Sequence, residues 1–160
     1  MRKIVFGALA GISATMAMTA AMRQMFFLLK NEHRYPLPPR EIMAQMHAKA
    51  PERTLRTETV LAHFSFGAAT GALYALLPRR LSSGPAYGVL VWALSYLGWI
   101  PALCILSPAT KHPMQRNLLM VAAHVVWGLA LSGSLRELDR SAHSVFSRGV
   151  SRDAISGRRK

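Results

Sequence analysis

Two histidines stand in similar apolar stretches of the chain, and imidazole is the side chain best suited to bind and release protons near neutral pH. Residues 62–71 read AHFSFGAATG, and residues 123–132 read AHVVWGLALS. On an α-helix, residues four apart share one face. Each histidine therefore aligns with two small residues, His63 with Gly67 and Gly71, and His124 with Gly128 and Ser132. An unperturbed imidazole titrates at about pH 6.5, so the pair is a candidate proton-responsive element.

The same histidines also have a purely structural interpretation. In hydrocarbon, an ionisable ring must face the protein interior, where it could hydrogen-bond a carbonyl or hydroxyl group of a neighbouring helix and fix the packing. Ser65 and Tyr96 lie in equally apolar stretches and are the further polar candidates for such a site. The sequence leaves both interpretations open.

Four stretches without Asp, Glu, Lys or Arg decide the fold class. They cover residues 4–22, 60–77, 85–106 and 118–135, and their lengths range from 18 to 22 residues. At about 1.5 Å per residue, a helix of that length crosses a hydrocarbon core of roughly 30 Å. The sequence therefore predicts an all-α protein, an integral membrane four-helix bundle over residues 1–140, with a basic disordered tail over residues 141–160.

Small residues at four-residue spacing mark the faces through which these helices should pack. In a membrane, such residues let helix backbones approach closely. The predicted packing residues are Gly7, Gly11, Gly67, Gly71, Gly128 and Ser132. The first stretch also resembles a secretory signal peptide, because Arg2 and Lys3 precede its apolar run. A regular packing face favours a retained helix instead.

The connection of residues 30–59 is long enough to have structure of its own. Its loop motif contains Pro36, Pro38, Pro39 and Arg40. The prolines should keep the chain extended until Pro39 opens a short helix over residues 40–50. Apolar residues gather on one side of that helix, which predicts an amphipathic element on the membrane surface or across the end of the bundle.

The third stretch should be the most irregular. The segment Gly98-Trp99-Ile100-Pro101 should kink it, because Pro101 cannot donate a hydrogen bond to the carbonyl of Leu97. The kink either fits helices together or forms a break that lines a cavity or a hinge. Residues 78–84 read as a basic turn that ends at Gly84 and makes the second and third stretches antiparallel. A helix, a proline-bearing connection and an Ala-His-x-x-x-Gly helix then occur twice. This order fits two pseudo-repeated helical hairpins related by an axis along the membrane normal.

The basic residues indicate membrane contact and orientation. The formal net charge is +13, but Lys and Arg lie in connections and tails rather than on one face of a folded domain, so we expect no nucleic-acid partner. Basic flanks fit contact with anionic membrane lipids. Eleven Lys and Arg lie on the side of the termini, and eight or nine lie on the other side. This excess predicts both termini in the cytoplasm.

Several short motifs, in their order along the chain, resemble the YagU-type family of bacterial inner-membrane proteins. The motifs are Pro36-Leu37-Pro38-Pro39-Arg40, His63 with Ser65 and Gly71, Pro101 and Pro108, and His124-Val125-Val126-Trp127. The resemblance spans residues 7–140. It implies a multi-pass protein of the bacterial inner (cytoplasmic) membrane with a link to survival in acid.

We expect no catalytic residue, cofactor or metal. No Asp or Glu lies in any apolar stretch, and the chain has no nucleophile elbow or phosphate loop. Two histidines are too few for a catalytic metal, and Met43, Met46 and His47 fit apolar packing better than copper(I). The sequence therefore favours a non-enzymatic protein, and the two histidines together with the resemblance imply a role in envelope or proton homeostasis. The alternative is a structural or regulatory subunit that binds a membrane partner protein or a second copy of itself.

Overall fold

The computed structural model describes residues 1–78 and 83–149, and the described chain is helical without strands. The helices are α1 (Arg2–Phe26), α2 (Pro38–Met46), α3 (Glu52–Tyr74), α4 (Gly84–Ala93), α5 (Ile100–Ala102) and α6 (Met114–His143). A wide π-helical segment, Leu94–Trp99, joins α4 to α5, and short 3-10 turns cover Asn31–His33 and Ala109–Lys111. The predicted all-α class is confirmed.

Two helices, α1 and α6, are long and apolar enough to cross a membrane; they contain 25 and 30 residues. In α3, Glu52 opens a first half that carries several charges, so only the second half is continuously apolar. The third apolar stretch is divided among α4, the π-helical segment and α5. Among the described residues, these two helices are the candidates for crossing a membrane by length and composition alone.

The long helices pack in the order α3, α1, α6, α4. Helix α1 lies between α3 and α6, and α4 packs on the other side of α6. The two ends of this row also meet, because the Tyr87 hydroxyl of α4 donates a hydrogen bond of 2.8 Å to the Thr70 carbonyl of α3. The four helices therefore surround a common interior.

The centre of the core lies between α1 and α6. Ala10 and Ala14 of α1 and Ala123 and Leu131 of α6 are completely buried. Alanine side chains let the two helices approach closely, since almost no side-chain volume separates their backbones. Trp127 of α6 completes this layer and is also buried.

Glycines form the crossing between α1 and α3. A Cβ atom on Gly7 would lie 2.6 Å from the Gly71 carbonyl oxygen, and one on Gly11 would overlap the Gly67 carbonyl. Both glycine pairs come from the packing residues predicted by four-residue spacing. The backbones of α1 and α3 are therefore in direct contact, as small residues permit in membrane helices.

A second glycine crossing joins α4 to α6. Cβ atoms on Gly84 and Gly128 would each overlap the carbonyl oxygen of the other residue, and a Cβ on Gly88 would overlap the His124 carbonyl. Ser132 lies at the same crossing, 2.5 Å from the position of a Cβ on Gly84. Placing Gly84 in the turn was wrong, since it is the first residue of α4 and packs against Gly128.

The third apolar stretch kinks at Gly98, within the segment predicted to kink, and deviates from α-helix already from Leu94. The wide turns begin at Leu94, and Gly98 has angles outside the helical region (φ −106°, ψ −107°). Pro101 lies in the first turn of α5, where its missing N–H removes no helical hydrogen bond. The break is therefore centred on residues 94–99, and Pro101 begins the next helical turn.

The remaining elements differ slightly from the predicted boundaries. Pro38, not Pro39, is the first residue of α2, and the helix ends at Met46 rather than near residue 50. Helix α6 continues to His143, three residues beyond the expected end of the folded domain. Residues 79–82 of the basic turn and residues 150–160 of the predicted tail lie outside the described residues.

Candidate functional site

A cavity of about 380 Å³ lies between α3 and the segment formed by α4, the π-helical turns and α5. Residues of α1 and α6 form its floor, and α2 covers one end. The rim consists of exposed apolar residues: Met46, Ala62, Phe66, Trp99 and Leu103. The rings of Phe66 and Trp99 face each other across the gap, with centroids 6.3 Å apart.

Both predicted histidines line this cavity, His63 from α3 and His124 from α6. The Nδ1 atom of His124 is 2.7 Å from the Met120 carbonyl, which accepts a hydrogen bond from the ring within the same helix. The Nε2 atom of His63 is buried and has no hydrogen-bond partner among the described residues. The fold thus brings together two imidazoles that are 61 residues apart in the chain.

The other two polar candidates are separated from each other. Tyr96 is buried and lines the cavity, with its ring stacked on His112 at a centroid distance of 5.5 Å. Ser65 is exposed and is not part of the cavity wall. Of the four candidates, three therefore share one cavity, and Ser65 faces away from it.

The cavity floor is fixed by a hydrogen bond between α1 and α6. The Trp127 indole N–H donates to the Thr15 hydroxyl over 3.1 Å, and that hydroxyl donates to the Gly11 carbonyl over 2.8 Å. The Trp127 ring also stacks on Tyr87 of α4 at a centroid distance of 6.0 Å. Trp127 of α6 thus contacts α1 through a hydrogen bond and α4 through ring stacking.

A buried arginine, which sequence reasoning missed, lies beside the covered end of the cavity. Arg116, 2% exposed, donates to the carbonyls of His33, Tyr35 and Pro36 at 3.2, 2.9 and 2.8 Å. Its guanidinium carbon also lies 3.4 Å from the centre of the Tyr35 ring, a cation–π contact. These contacts fix the proline-rich connection to the start of α6.

Glu41 of α2 provides the acidic partner of Arg116, with an oxygen–nitrogen distance of 3.6 Å. Burial raises the pKa of the Glu41 carboxyl, although the nearby positive charges of Arg116 and His112 act in the opposite direction. The desolvation cost is the larger effect, because the carboxylate oxygen is buried without a hydrogen bond to the described residues. Glu41 therefore releases its proton less readily than an exposed glutamate.

Two contacts outside the cavity hold α2 against α3. Arg40 pairs with Glu52 at 2.5 Å, and His47 pairs with Glu58 at 2.6 Å. Hydrogen bonds from Arg56 and Arg40 lower the pKa of the Glu52 carboxyl. With the Glu41 contact, three polar links keep α2 across the end of the cavity.

The residues of the predicted loop motif help to hold α2 across the end of the cavity. Pro36 accepts a hydrogen bond from Arg116, Pro38 begins α2, Pro39 lines the cavity, and Arg40 binds Glu52. Met43 and Met46 face the cavity, whereas the neighbouring His47 pairs with Glu58. Among the described residues, no group of three or more His, Cys, Asp or Glu side chains could hold a metal ion.

Chemically, the cavity combines an apolar lining with a few polar groups. Its described lining contains two imidazoles, a phenol, indole N–H groups and hydroxyls, and it contains no carboxylate, amine or guanidinium group. Such a site suits proton binding or an uncharged ligand. Comparison of the chain with protein-family models, curated proteins and solved structures finds no match.

Proposed function

We propose that this chain is an integral protein of the bacterial inner membrane with four crossing elements, namely α1, α3, the α4–α5 segment and α6, and with both termini in the cytoplasm. The length and apolarity of α1 and α6 support the proposal. So do the large apolar side chains that α3 and α4 expose, because lipid would cover them. The excess of Lys and Arg on the side of the termini supports the orientation.

In this membrane, the protein acts in envelope or proton homeostasis without catalysing a reaction, and His63 and His124 are its pH-responsive groups. The observation that carries this proposal is that both imidazoles line one cavity. The resemblance to the YagU-type family, with its link to acid survival, supports the same role.

The response follows from charge in an apolar site. Protonation of both rings would place two like charges in a lining that has no described carboxylate to compensate them. Tyr96 is the other titratable group in that lining, and it is neutral in acid. Repulsion between the rings, together with the cost of burying their charge, would move α3 away from α6 and open the cavity.

Acid survival of four strains tests this role at matched protein levels. The strains carry the wild type, His63→Gln, His124→Gln or the double variant, because glutamine retains polarity and loses the titration. We expect reduced survival for each single variant and a similar or larger loss for the double variant.

Two outcomes would contradict the proposal. If all four strains survive equally while a deletion strain is impaired, the histidines only pack helices. If the deletion strain has no acid phenotype, the interpretation as a partner subunit of a membrane complex replaces the homeostasis role.

A further inference from the structure

We propose that the cavity binds a neutral, membrane-soluble quinone, with the quinone ring between α3 and the α4–α5 segment and the apolar tail in the surrounding lipid. The proposal rests on the proposed membrane location of the chain, and it is independent of whether His63 and His124 titrate. The cavity volume of about 380 Å³ falls within the range of roughly 300–1,000 Å³ that is typical of small-molecule sites.

The lining selects an uncharged ligand. The described residues around the cavity include no lysine or arginine that could pair with a carboxylate or a phosphate. A charged head group would lose its hydration there without gaining a compensating partner. Fatty acids and phospholipid head groups therefore fit the site poorly.

Two buried nitrogen atoms call for a ligand with acceptor oxygens. Trp92 Nε1 and His63 Nε2 belong to cavity-lining residues, and neither has a hydrogen-bond partner among the described residues. An indole nitrogen only donates, and a neutral imidazole can donate through Nε2. Carbonyl oxygens on the ligand would satisfy both groups once the two side chains turn these nitrogen atoms towards the cavity, whereas a hydrocarbon chain would satisfy neither.

Flat aromatic walls favour a planar ring. Phe66, Trp92, Tyr96, Trp99 and Trp127 all line the cavity. Aromatic faces pack best against other planar π-systems, in offset or edge-on arrangements. A quinone ring combines this planarity with carbonyl oxygens at opposite ends.

The rim explains where the tail would leave. Phe66 and Trp99, each 41% exposed, lie at the outer side between α3 and the π-helical segment. Leu103 and Met46 extend the same apolar edge. An isoprenoid or alkyl tail could leave along this apolar edge, beside the Phe66–Trp99 contact, and reach lipid without crossing a polar surface.

Tryptophan fluorescence tests the proposal, because all three tryptophans of the chain line this cavity. Decylubiquinone is titrated into the purified full-length protein in detergent at about pH 8, where an ordinary imidazole is neutral. We expect saturable quenching of most of the emission. Trp92→Phe should weaken binding about tenfold, since phenylalanine keeps an aromatic ring at this position and lacks the N–H donor.

A matched pair of variants separates binding from collision. Ala62→Phe places a ring at the cavity rim, and Ser65→Phe places the same ring on an exposed face of α3 away from the cavity. Saturable quenching should be lost in the first variant and retained in the second. Linear quenching that is identical in both would overturn the proposal.

Two further results would distinguish a quinone site from an acyl-chain site and from the pH-responsive role. Displacement of decylubiquinone by equimolar dodecanoate would overturn the quinone assignment in favour of an acyl chain. Saturable quenching of the wild type at about pH 8 that Trp92→Phe weakens would support a quinone site, even if acid survival showed that the pH-responsive role had failed.

Discussion

Cys104 has the backbone conformation that glycine normally adopts at a helix end. It is the one described residue other than glycine with a positive φ, at 56°. Its N–H bonds the Pro101 carbonyl at 3.0 Å, and the Ile105 N–H bonds the Ile100 carbonyl at 3.1 Å. This pair of hydrogen bonds is the Schellman motif, in which the residue at the position of Cys104 is left-handed.

Replacing Cys104 with glycine should therefore stabilise the protein by about 1 kcal/mol, because glycine has no Cβ that opposes a left-handed conformation. Thermal unfolding in detergent measures the change. Cys104→Ala is the control, since it removes the thiol and retains the Cβ. Equal stability of the two variants would show that this conformation carries no such cost.

Glu41 gives a pH dependence whose sign follows from its raised pKa. Because the folded carboxyl binds its proton more tightly than the unfolded one, its contribution to stability improves as the pH falls from the folded pKa towards the ordinary glutamate pKa of 4.5. Glu41→Gln is neutral at every pH and lacks this contribution. The difference in melting temperature, wild type minus Glu41→Gln, should therefore rise on acidification. A difference that falls would contradict the burial of Glu41.

At the residue scale, the sequence identified candidate functional side chains only where the residues that mark them lie on the same helix. His63 and His124 could be recognised because each shares a helix face with small residues four and eight positions later. Arg116 could not, because its partners are carbonyls in a connection about 80 residues earlier. A basic residue just before an apolar stretch looks like an ordinary flank until the tertiary contacts are known.

At the scale of the helices, the two glycine crossings decide the packing. Gly84→Leu and Gly128→Leu should each cost about 3 kcal/mol or more, since either side chain would meet the backbone of the opposite helix. Gly133→Leu is the matched control on α6, because nothing lies within 4 Å of its Cβ position. The order of melting temperatures in detergent measures the effect. A Gly84→Leu variant as stable as the Gly133→Leu control would contradict the close packing of Gly84 against α6.

The faces through which the helices pack could be predicted, but the residues that each face contacts and the start of the wide turns could not. Four-residue spacing revealed Gly128, whereas its partner Gly84 was hidden by the charged residues that precede it. Gly98 and Pro101 marked the kink, but the wide turns begin at Leu94, where no residue type in the sequence interrupts a helix. That irregularity depends on how the segment fits around the cavity.

At the scale of the whole molecule, the cavity lies where the two hairpins do not pack. The hairpins α1–α3 and α4–α6 each cross at glycines. An axis that exchanges them would make the α1–α6 contact equivalent to a contact between α3 and α4. The first contact is a tight core of alanines, and the second position holds the cavity. The predicted two-fold relation between the hairpins therefore does not extend to these two contacts.

The topology of the whole chain can be tested with truncation fusions. A reporter that is active only in the cytoplasm is joined after Ala50, Pro78, Lys111 or Lys160, which places it after one, two, three or four crossing elements. We expect activity after Pro78 and Lys160 and silence after Ala50 and Lys111. The opposite pattern would invert the orientation, and activity at all four positions would exclude crossing.

The central claim is that His63 and His124 titrate within one cavity, and tryptophan emission without added ligand tests it most directly. Because all three tryptophans line the same cavity, protonation of the imidazoles should change the emission between about pH 8 and pH 4. The account predicts that this change is lost in the His63→Gln/His124→Gln variant and retained in a His47→Gln/His143→Gln control. Superimposable curves for the wild type and the His63→Gln/His124→Gln variant would contradict it.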